Sequence, residues 1–179
     1  MQLMLLTLPT GTTVLVRPIT PEDKPLLSLG LRTLSPETAM RRFLTLKTSF
    51  SAAELRYLTE VDQVDHIALV AIDARSGGPI GVARCVRVAP DTSELAIVIG
   101  DPWQRLGLGR MLIAELADRA SEHGITRLRG TMMANNRGAV RLLRGFGTHV
   151  DRDVIESGVR EIVVQTPSRA PALAPMHCA

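Results

Sequence analysis

Aromatic side chains are scarce in this sequence: its 179 residues hold one Trp, one Tyr and three Phe. Any core must therefore rest on aliphatic packing. Cysteine is nearly missing too. Cys85 and Cys178 lie far apart in the chain, which argues against a disulfide-stapled fold and for free thiols in a cytoplasmic protein. No apolar run approaches the length that spans a bilayer, so no membrane partner is expected. The short Met4-Leu5-Leu6 cluster has neither a basic start nor a small-residue cleavage site, and does not read as a signal peptide. Runs of like charge are absent. The net charge of +3 is mild and dispersed, which points away from nucleic acid and suits an anionic small ligand. Internal repeats are also lacking. What remains is an ordinary globular composition, 45% apolar and 22% charged, of a length that fits one domain with a real core.

The chain is organised around residues 94–112, E-L-A-I-V-I-G-D-P-W-Q-R-L-G-L-G-R-M-L. Residues 95–99 are an apolar run of strand length. Asp101 and Pro102 end it. Gly107 and Gly109 then lead into an amphipathic segment. A strand that feeds a helix through glycines aims backbone N–H groups and a helix N-terminus at one point, which suits a phosphate-bearing ligand. The loop is not a P-loop, because no Lys-Ser or Lys-Thr pair follows it. Nor is it a dinucleotide fingerprint, since Leu112 stands where a third glycine is required. What is present is Q-x-x-G-x-G, as Gln104, Gly107 and Gly109. The plain alternative is a βα turn whose glycines serve only close packing.

Read in order, residues 12–18 form a first strand. Thr20-Pro21-Glu22-Asp23 and Ser35-Pro36-Glu37 are helix starts, each a capping hydroxyl followed by Pro. Ser51-Ala52-Ala53-Glu54 is a capping box for a third short helix. Strands at 67–72, 80–88 and 95–99 make an antiparallel meander. The helix after the glycine loop runs to about His123 and stops at Gly124. A fifth strand covers 128–133, a helix follows Asn136, and Ser157-Gly158 turns a final hairpin. Residues 168–179 are expected to form a disordered tail. The domain is accordingly placed at 12–167.

This order of elements, with Q-x-x-G-x-G between a strand that opens on Glu94 and a helix, resembles the GNAT family of N-acetyltransferases. Three further stretches are similar to the acetyltransferase domain of bacterial protein lysine acetyltransferases. They are L-S-P-E-T-A-M-R-R-F (34–43), S-x-x-E-L (51–55) and V-D-x-x-D-H-x-A-L-V-A (61–71). D-P-W-Q-R-L-G-L-G also resembles that subgroup's D-x-W-Q-G-x-G-x-G, with Arg105 and Leu106 at positions that often carry Gly and Arg. The resemblance covers about 12–167, so no fused regulatory module is expected in this chain. It implies an α/β GNAT fold: a mixed, mostly antiparallel central sheet, helices on both faces, and a V-shaped cofactor cleft between the fourth and fifth strands.

The same resemblance implies acetyl-CoA as acyl donor and direct attack by an amine in a ternary complex. A protein lysine is the favoured acceptor. A small amine (polyamine, aminoglycoside or amino acid) is the alternative, and a non-catalytic acyl-CoA-binding module is a third reading. A homodimer is compatible with it, and no metal is called for. Backbone N–H groups of Arg105, Leu106, Gly107, Leu108, Gly109 and Arg110 would surround the pyrophosphate, with Gln104 at the head of this cofactor-binding loop. The strand backbone at Ile97, Val98 and Ile99 would hold the acetyl arm and its carbonyl oxygen. Asn136 fits the asparagine that contacts the pantetheine arm, and it also reads as a plain N-cap.

The chemistry needs a base, because a lysine amine is protonated at neutral pH. Glu94, at the strand start, is the candidate. The plain alternative is an exposed strand-end carboxylate. Asp62, Asp65 and His66 form a second cluster, although a polar residue entering a strand more often serves structure. Many relatives place a tyrosine acid seven residues after the asparagine. Here that position is Leu143, and the sole tyrosine, Tyr57, lies in another segment.

Overall fold

The computed structural model describes residues 3–167, so the expected tail and Cys178 lie outside the described residues. The chain runs β1 (Met4–Thr7), β2 (Thr13–Pro18), α1 (Lys24–Thr33), α2 (Pro36–Phe43), α3 (Ala52–Thr59), β3 (His66–Asp73), β4 (Pro79–Ala89), β5 (Thr92–Ile99), α4 (Leu108–Ser121), β6 (Arg127–Met133), α5 (Arg137–Phe146), β7 (His149–Glu156) and β8 (Val159–Gln165). The strands form one sheet in the order β1-β2-β3-β4-β5-β6-β8-β7. Among the described residues only β5 and β6 are parallel neighbours; every other pair is antiparallel. The expected fold is the observed one: a mixed, mostly antiparallel sheet with helices on both faces.

Two clusters of apolar side chains divide the core by strand parity. In β3, Ile67, Leu69 and Ala71 face Leu112, Ile113 and Leu116 of α4. Ala68, Val70 and Ile72 face the opposite way, onto Leu27 of α1 and Leu55 and Leu58 of α3. A strand covered on both faces reads as a continuous apolar run, which is why I-A-L-V-A-I was legible without alternation. The core is aliphatic, as the scarcity of aromatics requires.

Two local readings change. The sequence places the first strand at Thr12, but β1 precedes it and pairs Met4 to Val16 through Thr7 to Thr13. Its four residues alternate half-buried and exposed, a pattern too short to stand out from the sequence. The Thr20-Pro21 start opens a short 3-10 turn, Pro21–Asp23, and α1 begins only at Lys24. Asp23 turns inward instead, where both its oxygens accept from Arg17 at 2.7 and 2.6 Å. The capping box at Ser51 is present in full: Ser51 Oγ accepts from Glu54 N–H, and Glu54 Oε2 accepts from Ser51 N–H.

Candidate active site

The β5–β6 pairing positions the site. Its register runs from Thr92↔Arg127 to Leu95↔Gly130 and stops there. β5 continues to Ile99 and β6 to Met133, so the two strands part and form a V. Beyond Leu95 the β6-facing backbone groups of β5 have no ladder partner; by the parity that the Gly100 N–H to Ile80 carbonyl bond sets, these belong to Ile97 and Ile99, while Val98 stays paired with Val82 of β4. Gly130 lies at the parting point. A Cβ there would come within 2.6 Å of Leu143 Cδ2, so the glycine admits α5 over the sheet. Leu143 is accordingly core, 2% exposed.

The α4 N-terminus closes one side of the V. Gly107 is its N-cap at φ +87°, a left-handed conformation that glycine adopts without strain. Arg105, where the subgroup pattern often carries Gly, is also left-handed at φ +61°. The sequence motif is thus partly a backbone requirement. A groove of about 780 Å³ runs along this helix end, lined by Ile97, Val98, Ile99, Gln104, Arg105, Gly107, Gly109, Arg110 and Asn136, with Arg41, Arg42, Arg137 and Arg141 around it. The helix dipole and these guanidiniums make it a place for anionic groups. Leu106 and Leu108 differ from the other loop residues. Leu108 is buried and Leu106 packs on the core, so each can offer the groove only its backbone.

Three of the expected residues have structural duties as well. Gln104 Nε2 donates to the Ile99 carbonyl at 3.1 Å and to Thr38 Oγ1 at 3.2 Å, which ties the loop to β5 and α2. Asn136 Oδ1 accepts from Ala139 N–H at 3.2 Å as the α5 N-cap, yet the residue still lines the groove. Gly109 allows close packing, because a Cβ there would meet Leu142 at 3.2 Å. Asp101, ahead of the loop, accepts from Ser35 N–H, Ser35 Oγ and Thr38 Oγ1 at 2.9, 2.8 and 2.6 Å.

Glu94 lines a second cleft of about 280 Å³, which shares Arg41, Arg42, Ile97 and Asn136 with the groove. Its Oε2 accepts from Arg129 of β6 at 2.6 Å, across the last parallel-paired segment. The alternative cluster is taken up by structure. Asp62 Oδ1 caps the N–H groups of Val64, Asp65 and His66. Asp65 pairs with Arg87 at 2.5 Å. His66 Nε2 is engaged by Arg84 at 3.1 Å, and burial together with that cation pushes its pKa down to about 4. Tyr57 is not remote: its ring lies 5.0 Å from that of His66. The sequence reading missed Arg42, Arg84 and Arg129, which come from α2, β4 and β6 and converge only through the sheet.

A family model described as "Acetyltransferase (GNAT) family" matches residues 37–148. The chain belongs to the GNAT acetyltransferase family. This GNAT chain is 31% identical to acetyltransferase Pat of Mycolicibacterium smegmatis over 140 residues, 77% of its own length and 42% of that protein's. It therefore spans less than half of that relative. It is also 31% identical to acetyltransferase PA5475 of Pseudomonas aeruginosa, over 82% of this chain and 81% of that protein. Its structure superposes on the GNAT domain of S. lividans PAT with a TM-score of 0.83 at 26% identity, covering 91% of this chain and 96% of that one. As a GNAT acetyltransferase, the chain is an enzyme whose family uses acetyl-CoA as donor. Among the described residues no helix is long and apolar enough to cross a membrane.

Proposed function

We propose that this chain transfers the acetyl group of acetyl-CoA to a protein lysine in the cytoplasm, by direct attack in a ternary complex. The observation that carries the reading is the parting of β5 and β6 beyond Leu95 and Gly130, with an arginine-rich helix N-terminus on one side and Glu94 on the other. The groove suits the donor: the N–H groups from Arg105 to Arg110 and the nearby guanidiniums match a pyrophosphate, and Asn136, which lines the same groove, is the proposed contact of the pantetheine arm. The donor supplies an activated thioester carbonyl.

The residues of this chain do the rest. Backbone N–H groups within 97–99 stabilise the negative charge that develops on the carbonyl oxygen as the amine nitrogen bonds to carbon. Glu94 takes the amine proton, directly or through water, while Arg129 orients its carboxylate. The C–S bond then breaks and its electron pair leaves with sulfur. Leu143 is buried and offers no acid, so the proton that completes the thiol comes from water. Exposed Leu44, which with Phe43 lines the Glu94 cleft, gives that side an apolar rim suited to a polypeptide. The test is thiol release from acetyl-CoA with lysine peptides beside polyamines and aminoglycosides. Preferential turnover of small amines would refute the lysine assignment, and no release with any amine would refute catalysis.

A further inference from the structure

The sheet face that carries Glu94 also holds two cations: Arg84, which the donor groove does not reach, and Arg42, which stands at the groove's edge. Arg84, opposite Ala96 in the β4–β5 register, is only 4% exposed. Its Nη1 lies 3.1 Å from His66 Nε2, and its Nη2 donates to the Leu58 carbonyl at 3.2 Å. Its Nε is buried with no partner. Burial, and then the neighbouring Arg42, lower its pKa to about 10, so it keeps its charge at neutral pH. His66 is neutral there and accepts the hydrogen bond, which orients the guanidinium without cancelling its charge.

Arg42 of α2 is its companion. Burial lowers its pKa as well, and its side chain lies over the Phe43 ring at 4.8 Å. Arg17, Arg87, Arg127 and Arg129 each pair with a carboxylate. Among the described residues, Arg42 and Arg84 make no ion pair; Glu94 acts on Arg42 only at longer range, and the larger effect on both is burial. Uncompensated buried charge is costly, and a guanidinium fork is shaped for a planar anion.

Both arginines line one cavity of about 60 Å³ beneath α1, walled by Leu27, Leu31, Phe43, Phe50 and Ile80. It meets the donor groove at Arg42 and Val98. Apolar walls, small volume and two cations at one end describe a site for a carboxylate on a short aliphatic stem. A polyamine brings only further positive charge.

We propose that Arg42 and Arg84 form an anion subsite that takes a carboxylate of the acceptor, borne near the amine that is acetylated. The inference rests on the acceptor approaching the thioester across the Val98 side, as in the proposed transfer. The carboxylate comes from an acidic residue beside a lysine, or from the amino acid itself when the acceptor is free.

Two measurements on the full chain test it. The first is binding of butyrate, with n-butylamine as control, to protein saturated with CoA. Saturable butyrate binding, weakened roughly tenfold to a hundredfold by Arg84→Met or Arg42→Met and restored in part by Arg84→Lys, is expected for a lost charge-assisted bond. No saturable binding of butyrate, or binding that both Met variants leave intact, overturns the subsite. Arg42→Met decides the matter if Arg84→Met fails to fold.

The second is turnover of matched acceptors: a peptide with Lys followed by Asp against the same peptide with Asn, and Nα-acetyl-lysine against its amide. A preference of roughly tenfold or more for the carboxylate member, residing in KM and lost in Arg42→Met, supports the subsite, and the pair that shows it names the source. Equal kcat/KM within both pairs overturns it. Butyrate binding with no turnover of any member would leave the subsite standing and refute the lysine acceptor instead.

Discussion

Leu143 packs over Gly130 so closely that a Cβ on the glycine would lie 2.6 Å from Leu143 Cδ2. The contact fills the apex of the V, where relatives are expected to carry a tyrosine. Restoring that tyrosine should not install an acid. Leu143→Tyr overpacks a site that is 2% exposed, and we expect a stability loss of about 1–3 kcal/mol with no gain in kcat. Chemical denaturation and steady-state kinetics on the variant check both parts; a rise in kcat would show that the phenol reaches the thiolate.

Glu94→Gln preserves the shape of the side chain and its bond to Arg129 but removes its capacity to take a proton. We expect kcat to fall roughly a hundred- to ten-thousandfold near neutral pH. Acetyl-CoA affinity should barely change. The variant should recover rate at high pH, where the amine loses its proton to solution. Wild-type kcat in a folded variant would remove Glu94 from the mechanism, and the taken-up Asp62, Asp65 and His66 would offer no ready replacement.

Gly107→Ala tests the loop. The new Cβ meets nothing within 4 Å in the protein, so the damage comes from the backbone at φ +87° and from intrusion into the groove. Forcing an L-residue into this conformation costs about 1–2 kcal/mol. Calorimetry should show acetyl-CoA binding weakened by roughly tenfold or more for a cost of that size. Unchanged affinity would detach the helix N-terminus from donor binding.

The imidazole of His66 gives stability a pH signature. Its folded pKa of about 4 lies below its ordinary value of 6.5, so between those values the unfolded chain binds a proton that the folded one does not. The stabilisation is complete above pH 6.5 and is lost as pH falls toward 4. Half-burial limits its size to the order of 1–2 kcal/mol. Denaturation curves for wild type and His66→Gln should diverge in that window, with the wild type falling more steeply; parallel curves would contradict the assignment.

The parts of the fold legible in the sequence were those decided by neighbours along the chain. The capping box at Ser51 and Glu54, the apolar run of β5 and the glycine stop at Gly124 are local chemistry, and each is in place. β1 was missed because four residues carry too little pattern. The site was legible in its loop, in residues 97–99 of β5, and in Glu94 and Asn136, which line its clefts. Gln104, Gly107 and Gly109 are close in sequence, whereas Arg42, Arg84 and Arg129 are set side by side by strand order and by the docking of α2. No spacing rule connects them. The parting of β5 from β6 is likewise a property of the sheet, not of either strand.

Asp101 holds Ser35 and Thr38 of the α2 start, while Gln104 holds Thr38 from the glycine loop. The helix that presents Arg42 and the loop that frames the donor groove are thus clamped to one another. Filling one half-site stiffens the mount of the other, so the two occupancies share a coupling free energy. By thermodynamic reciprocity, whatever factor the donor adds to acceptor affinity, the acceptor returns to the donor. A severed clamp, as in Asp101→Ala, would leave each half-site able to bind alone while uncoupling their affinities.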